Sequence, residues 1–155
     1  GARFVLEKSF RTITQDLYLT GEIPRITYFE KGDPGLFAES EGGLIPDPIA
    51  DDNSVVIDSP KGLVLLLGCA HAGLINILEY VLKQTRRDGV HAVIGGTHLD
   101  FSSLAQVDET VAALKKFNVE KIGVSHCTGL KAAGRLQAAF GERFFNCNVG
   151  EVLEF

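Results

Sequence analysis

Gly62-Leu-Val-Leu-Leu-Leu-Gly-Cys-Ala-His-Ala-Gly-Leu-Ile-Asn76 decides the fold. Residues 63–67 form an unbroken apolar run of strand length, the pattern of a strand buried on both faces. The run stops at Gly68, and a helical pattern begins after Gly73. Cys69-Ala70-His71 thus falls on the turn where a strand hands over to a helix, which is where α/β proteins seat their ligands. A histidine there can face solvent or a metal, or it can simply hydrogen-bond across the loop.

Two further stretches repeat the grammar. Val93-Ile-Gly-Gly-Thr-His98-Leu and Ile122-Gly-Val-Ser-His126-Cys-Thr-Gly129 each run from apolar strand through small-residue turn to histidine. If the three strands are parallel neighbours, His71, His98 and His126 emerge on one edge of one sheet. Such convergence points to metal ligation rather than accident. His91 opens a strand instead and is read as structural.

Composition bounds the rest. A chain of 155 residues fits one domain, residues 1–155, and can bury a real core. Its 45% hydrophobic and 23% charged residues are ordinary for a globular protein. A net charge of −5 argues against a nucleic-acid backbone or an anionic membrane as the main partner. No apolar run approaches the roughly 20 residues of a membrane span, and no secretory signal opens the chain. Three cysteines without a CxxC pair suit a reducing interior, so the expected compartment is cytoplasmic. The absence of Met, with Gly1 in first place, predicts that residue 1 is not a natural translation start.

Residues 1–50 are the least regular. Segments 4–6, 17–19 and 26–29 read as short strands, and 32–50, dense in Gly and Pro, reads as one long surface loop. Segments 54–58 and 63–67 flank a turn at Asp58-Ser-Pro-Lys-Gly62 and predict a hairpin. Leu74, Ile75, Leu78, Val81 and Leu82 share a helical face. A second helix, capped by Ser102 or Ser103, would bury Leu104, Val107, Val111, Leu114 and Phe117. A third, with Leu130, Ala133, Leu136 and Phe140 inward, ends at Gly141. Strands at 90–94 and 121–124 separate these helices, and 143–145 and 151–155 predict two closing strands. Strands alternating with helices imply a largely parallel sheet in this half.

The chemistry follows from the donors. Imidazole suits zinc, iron and related ions, and a catalytic site leaves a position open for water. Asp100 follows His98 and reads first as a helix-start residue. Asp51 and Asp52 read as solvated loop carboxylates. Cys69 and Cys127, beside His71 and His126, read as small packing residues in preference to thiolate ligands. Ser125, Thr128 and Gly129 form a turn onto a helix N-terminus, whose free N–H groups suit an anionic group.

These residues resemble the C-terminal half of the metallo-β-lactamase fold superfamily. The resemblance is strongest to the branch of metallo-hydrolases like 7,8-dihydropterin-6-methyl-4-(β-D-ribofuranosyl)aminobenzene 5′-phosphate synthase. It is carried by the segments around His71, His98 and His126, by Leu19-Thr-Gly-Glu-Ile-Pro-Arg25, and by Asp51-Asp52. It implies an α/β fold of α+β sandwich type: half of an αββα sandwich, a mixed sheet with helices on one face. It also implies a divalent metal, zinc first and iron or manganese next, held by His71 and His126. The superfamily's bridging Asp would fall near Gly95-Gly96. His98 is then either a replacement ligand or a catalytic acid or base facing the substrate, which the resemblance implies to be a small molecule of a phosphorylated or pterin-like kind.

One motif is missing. The superfamily's His-x-His-x-Asp-His would precede His71, where this chain has no histidine. The expectation is therefore a metal-dependent hydrolase present as one half, incomplete and inactive alone; the alternative is a non-catalytic interaction or ligand-binding module that keeps the fold. Either way, the apolar sheet face opposite the helices should be covered, by self-association or by a missing N-terminal half.

Overall fold

The computed structural model describes residues 1–155. Two short strands, β1 (Arg11–Thr14) and β2 (Leu17–Leu19), are followed by β3 (Phe37–Ser40) and β4 (Gly43–Pro46). The hairpin β5 (Val55–Ser59) and β6 (Gly62–Leu66) leads into helix α1 (Leu74–Thr85). Two more strand–helix units follow: β7 (Val90–Gly96) with α2 (Leu104–Lys116), and β8 (Val119–Ser125) with α3 (Gly129–Phe140). The last strand is β9 (Phe144–Asn146).

Seven strands make one mixed sheet in the order β1-β2-β5-β6-β7-β8-β9. β1, β2, β5 and β6 pair antiparallel, whereas β6 through β9 run parallel. The four parallel strands are consecutive neighbours, so the turns after β6, β7 and β8 open side by side. That placement builds the site.

Burial is lopsided. Alternate strand residues Leu63, Leu65, Val93, Ile122 and Val124 face the helices and join Leu74, Leu78, Val81, Leu114 and Leu136 in a core of 23 buried residues. The opposite face has only Val64, Ala92 and Ile94 fully inside, so nearly all the hydrophobic stabilisation lies on the helical side. The C-terminal tail partly covers the thin face, where Leu153 and Phe155 pack beside Leu66 and Phe145.

The βα half matches the sequence reading, and the edges correct it. Segment 32–50 is not a single loop: β3 and β4 pair through it in their own two-stranded sheet, with the Ser40 hydroxyl donating to the Gly43 carbonyl at 2.9 Å to close the turn. Residues 26–29 form no strand. The Ile26 and Thr27 N–H groups instead donate to Asn76 Oδ1, each at 2.8 Å, so this segment is a strap over the start of α1. Residues 4–6 and 151–155 also lack strand pairing; the latter cover the sheet face through side chains alone. In α3 the buried face is Ala132, Leu136 and Phe140, and Leu130 is exposed because it lies in the first turn, beyond the sheet edge. Leu104, at the start of α2, is exposed in the same way.

Candidate metal centre

Three turns make the rim, and each is bent in the same way. Ala70 after β6, His98 after β7 and His126 after β8 all adopt left-handed backbone, with φ of 58°, 53° and 51°. Residues bearing a Cβ visit that region rarely and at a cost of order 1–3 kcal/mol, and they concentrate where function demands a particular side-chain direction.

The bend brings His71 and His98 together: their ring centroids are 4.3 Å apart, tilted by 50°. Phe101 also lies against His98, with ring centroids 4.8 Å apart. His98 Nε2 is 3.2 Å from Asp33 Oδ2, from the segment just before β3. The Nδ1 atoms of both His71 and His98 are buried without a hydrogen-bond partner. Burial, reinforced by the neighbouring His71 ring, holds the His98 pKa below its ordinary value and outweighs the opposing pull of Asp33. Asp33 is itself lowered, first by the Gly35 N–H and then by His98.

His126 is exposed and sits next to two sulfurs. Its ring and the thiols of Cys69 and Cys127 place their donor atoms within 4.8 Å of one another. The Cys127 sulfur accepts the His98 backbone N–H at 3.2 Å and donates to the Cys69 carbonyl at 3.5 Å, so it ties all three turns together. Burial pushes the Cys127 thiol up to about 11. Gly96 makes this approach possible: a Cβ there would stand 2.6 Å from the Gly68 carbonyl oxygen and 2.9 Å from the Cys127 sulfur. An aspartate there would need the Gly68 carbonyl and the Cys127 sulfur to move, and the bridging carboxylate that the resemblance implies near Gly95-Gly96 has no counterpart.

The other expected site residues take distinct places. Thr128 is buried, its hydroxyl donating to the Ser125 carbonyl at 2.9 Å and paired with the Thr97 hydroxyl at 3.0 Å. Ser125 and Gly129 remain partly exposed on either side of it, with the Asp100 carboxylate against Gly129. His91 lies at the far end of β7 with Nδ1 2.8 Å from Glu120 Oε2, away from the rim.

Three more carboxylates lie near the rim, and the sequence signals neither Asp33 nor Glu30. Asp33 partners His98, as above. Asp52, expected as a solvated loop carboxylate, is half-buried and accepts the Ala72 N–H at 3.3 Å, one residue from His71. Glu30 accepts the Ile75 and Asn76 N–H groups at 2.7 and 2.8 Å, capping α1 where Gly73 has no side chain to do so. Burial raises the Glu30 carboxyl to about 7. Glu30 also lines the cavity that His71, Thr97, His98 and Phe101 share.

The rim therefore carries two donor groups: the His71 and His98 rings with their orphaned Nδ1 atoms, and the cluster of Cys69, Cys127 and His126, which does not include His71. Imidazole and thiol donors of this kind suit a divalent ion. No protein-family model matches the chain. It is 32% identical over 158 aligned residues to 7,8-dihydropterin-6-methyl-4-(beta-D-ribofuranosyl)-aminobenzene-5'-phosphate synthase of Methanocaldococcus jannaschii; the match takes in all of this chain and 54% of that protein. An uncharacterised protein of the same organism is 29% identical over 149 residues, which are 96% of this chain and 53% of that one. Among solved structures, a metal-dependent hydrolase of the beta-lactamase superfamily superposes with a TM-score of 0.83 at 29% identity, over 99% of this chain and 58% of that chain. The chain thus spans about half the length of the relatives it matches.

Proposed function

From the chain's place in the metallo-β-lactamase fold superfamily, we infer that it is the metal- and substrate-holding half of a metal-dependent hydrolase acting on a small molecule. His71 and His126 would hold the ion, with His98 beside them. A bound divalent ion, with zinc the first candidate, would supply a water of lowered pKa and polarise the bond to be cleaved. The observation that carries this reading is the pair of buried, unpartnered Nδ1 atoms on His71 and His98 at the rim.

The protein's own groups divide the remaining work. His98, kept neutral by burial, can take or return a proton on the face that Phe101 closes. Asp33 fixes that ring's orientation. Ser125 and the N–H groups opening α3 offer a seat for an anionic substituent, and Thr128 holds that turn in shape through its buried hydroxyl. A phosphorylated, pterin-like substrate is supported by the name of the M. jannaschii relative alone.

Metal analysis of chain purified without chelator tests the reading. Close to one equivalent of zinc, iron or manganese is expected, and less than about a tenth of an equivalent overturns it. A second reading, a ligand-binding module without catalysis, is favoured by the cavity that Glu30, His71, Thr97 and His98 line. Hydrolysis of a generic phosphodiester that His71→Ala abolishes would exclude it.

A further inference from the structure

We propose that Cys69 and Cys127 are metal ligands, which together with His126 form a thiolate–imidazole site for a borderline-soft divalent cation. The inference rests on the metal-binding part of the function proposed above but assigns the ligands differently: Cys69 and Cys127 join His126, and His71 lies outside this donor group.

The geometry carries it. A tetrahedral zinc with Zn–S bonds of about 2.3 Å holds its sulfurs about 3.8 Å apart. The three donor atoms here already lie within 4.8 Å, so the site closes with a movement of roughly 1 Å or less. Two independent turns supply the donors, one after β6 and one after β8, and 58 residues separate the cysteines along the chain. The proximity is thus a product of the parallel sheet and not of local sequence.

Burial disfavours a free Cys127 thiolate, so deprotonation there depends on the metal; one contact already in place favours it. The His98 backbone N–H already points at the Cys127 sulfur, a bond that strengthens when the sulfur carries negative charge. Gly96 keeps the strand between the two turns free of any side chain that would separate them. All three donors are at least partly exposed, so an ion can enter. Binding displaces one proton from each thiol to solvent and forms two metal–sulfur bonds and one metal–nitrogen bond. Three protein donors leave a fourth position open, the pattern of a catalytic rather than a structural zinc. Soft sulfur donors favour zinc over magnesium, calcium or manganese.

Cobalt(II) titration of the reduced chain is the test, because a thiolate-bound cobalt ion absorbs strongly in the near ultraviolet. The wild-type chain should show this charge-transfer band, and Cys69→Ser and Cys127→Ser should each lose part of it and bind cobalt about tenfold or more weakly. One equivalent of cobalt bound without the band, and released by His71→Ala, overturns the inference and leaves the proposed metal-binding function standing. No cobalt bound at all overturns both. Should the serine variants misfold, alkylation of the wild-type chain decides. Zinc should slow labelling of Cys69 and Cys127 about tenfold and leave Cys147, on the other sheet face, untouched. Equal rates at all three cysteines with and without zinc overturn the inference.

Discussion

The Asp33 carboxylate, at the start of the segment that carries the β3–β4 hairpin, sits 3.2 Å from the His98 ring at the end of β7, across 65 residues of sequence. The hairpin region is therefore not an appendage to the sheet: it orients one of the imidazoles on the rim. Neutralising it with Asp33→Asn should leave the fold intact and weaken metal binding or turnover by about 10- to 100-fold, the usual cost of losing the partner that aims a histidine. Isothermal titration with zinc would measure it. Unchanged affinity and unchanged turnover would remove Asp33 from the site.

With His71 and His126 as the ligand pair, His71→Ala should lower the zinc content of the purified chain at least about tenfold, while His91→Ala, at the opposite end of the sheet, should not change it. Elemental analysis of the two variants side by side separates a rim effect from a general loss of structure. Equal losses in both would argue that the histidines act only through folding.

Glu30 makes stability depend on pH in an unusual direction. Its folded value is about 7 against an ordinary 4.5, so the unfolded chain ionises this carboxyl before the folded one does. The stability it contributes is complete below about pH 4.5, declines as pH rises through 7, and then levels off, a span of up to about 3 kcal/mol. Glu30→Gln should flatten that decline, as read from chemical denaturation at about pH 5 and about pH 8. The same slope in the variant would show that Glu30 ionises normally.

Two glycines should respond oppositely to alanine. Gly96→Ala drives a methyl group into the Gly68 carbonyl and the Cys127 sulfur and should cost about 1–3 kcal/mol. Gly134, on the exposed side of α3, has nothing within 4 Å of a new Cβ, so Gly134→Ala should stabilise by about 0.5–1 kcal/mol. Thermal melts of both variants check the pair, and a neutral Gly96→Ala would mean that the turns after β6 and β8 can separate freely.

The tail at 151–155 covers part of the thin sheet face through Leu153 and Phe155. Deleting residues 152–155 should uncover Leu66 and Phe145 and increase self-association, measured by sedimentation velocity. No change in sedimentation after the deletion would show that this face does not drive association.

The βα half was legible because its signals are local. An apolar run such as 63–67 ending in glycine, followed by a histidine and then helical periodicity, carries its own boundaries. The sequence shows that each of His71, His98 and His126 closes its own strand–helix unit; the structure pairs the first two and sets His126 with Cys69 and Cys127. What escaped was set by contacts between distant segments. Glu30 caps a helix 45 residues away, and nothing about Phe29-Glu30-Lys31 signals it. Cys69 and Cys127 read as packing residues because the sequence does not show how close the turns after β6 and β8 come. The β3–β4 hairpin was hidden because the Gly and Pro residues around it dominate the composition of 32–50, masking the short alternation on either side of Glu41-Gly42.

The backbone at positions 98 and 126 sets thermostability against chemistry. Glycine would relax either turn but would delete the ring that the turn exists to aim, so a search for hardier variants drifts towards inert ones. Ala70 offers an escape from that conflict. Glycine there should ease the bend after β6 without touching a donor atom, which makes it the place on this rim where heat tolerance can be raised and reactivity kept.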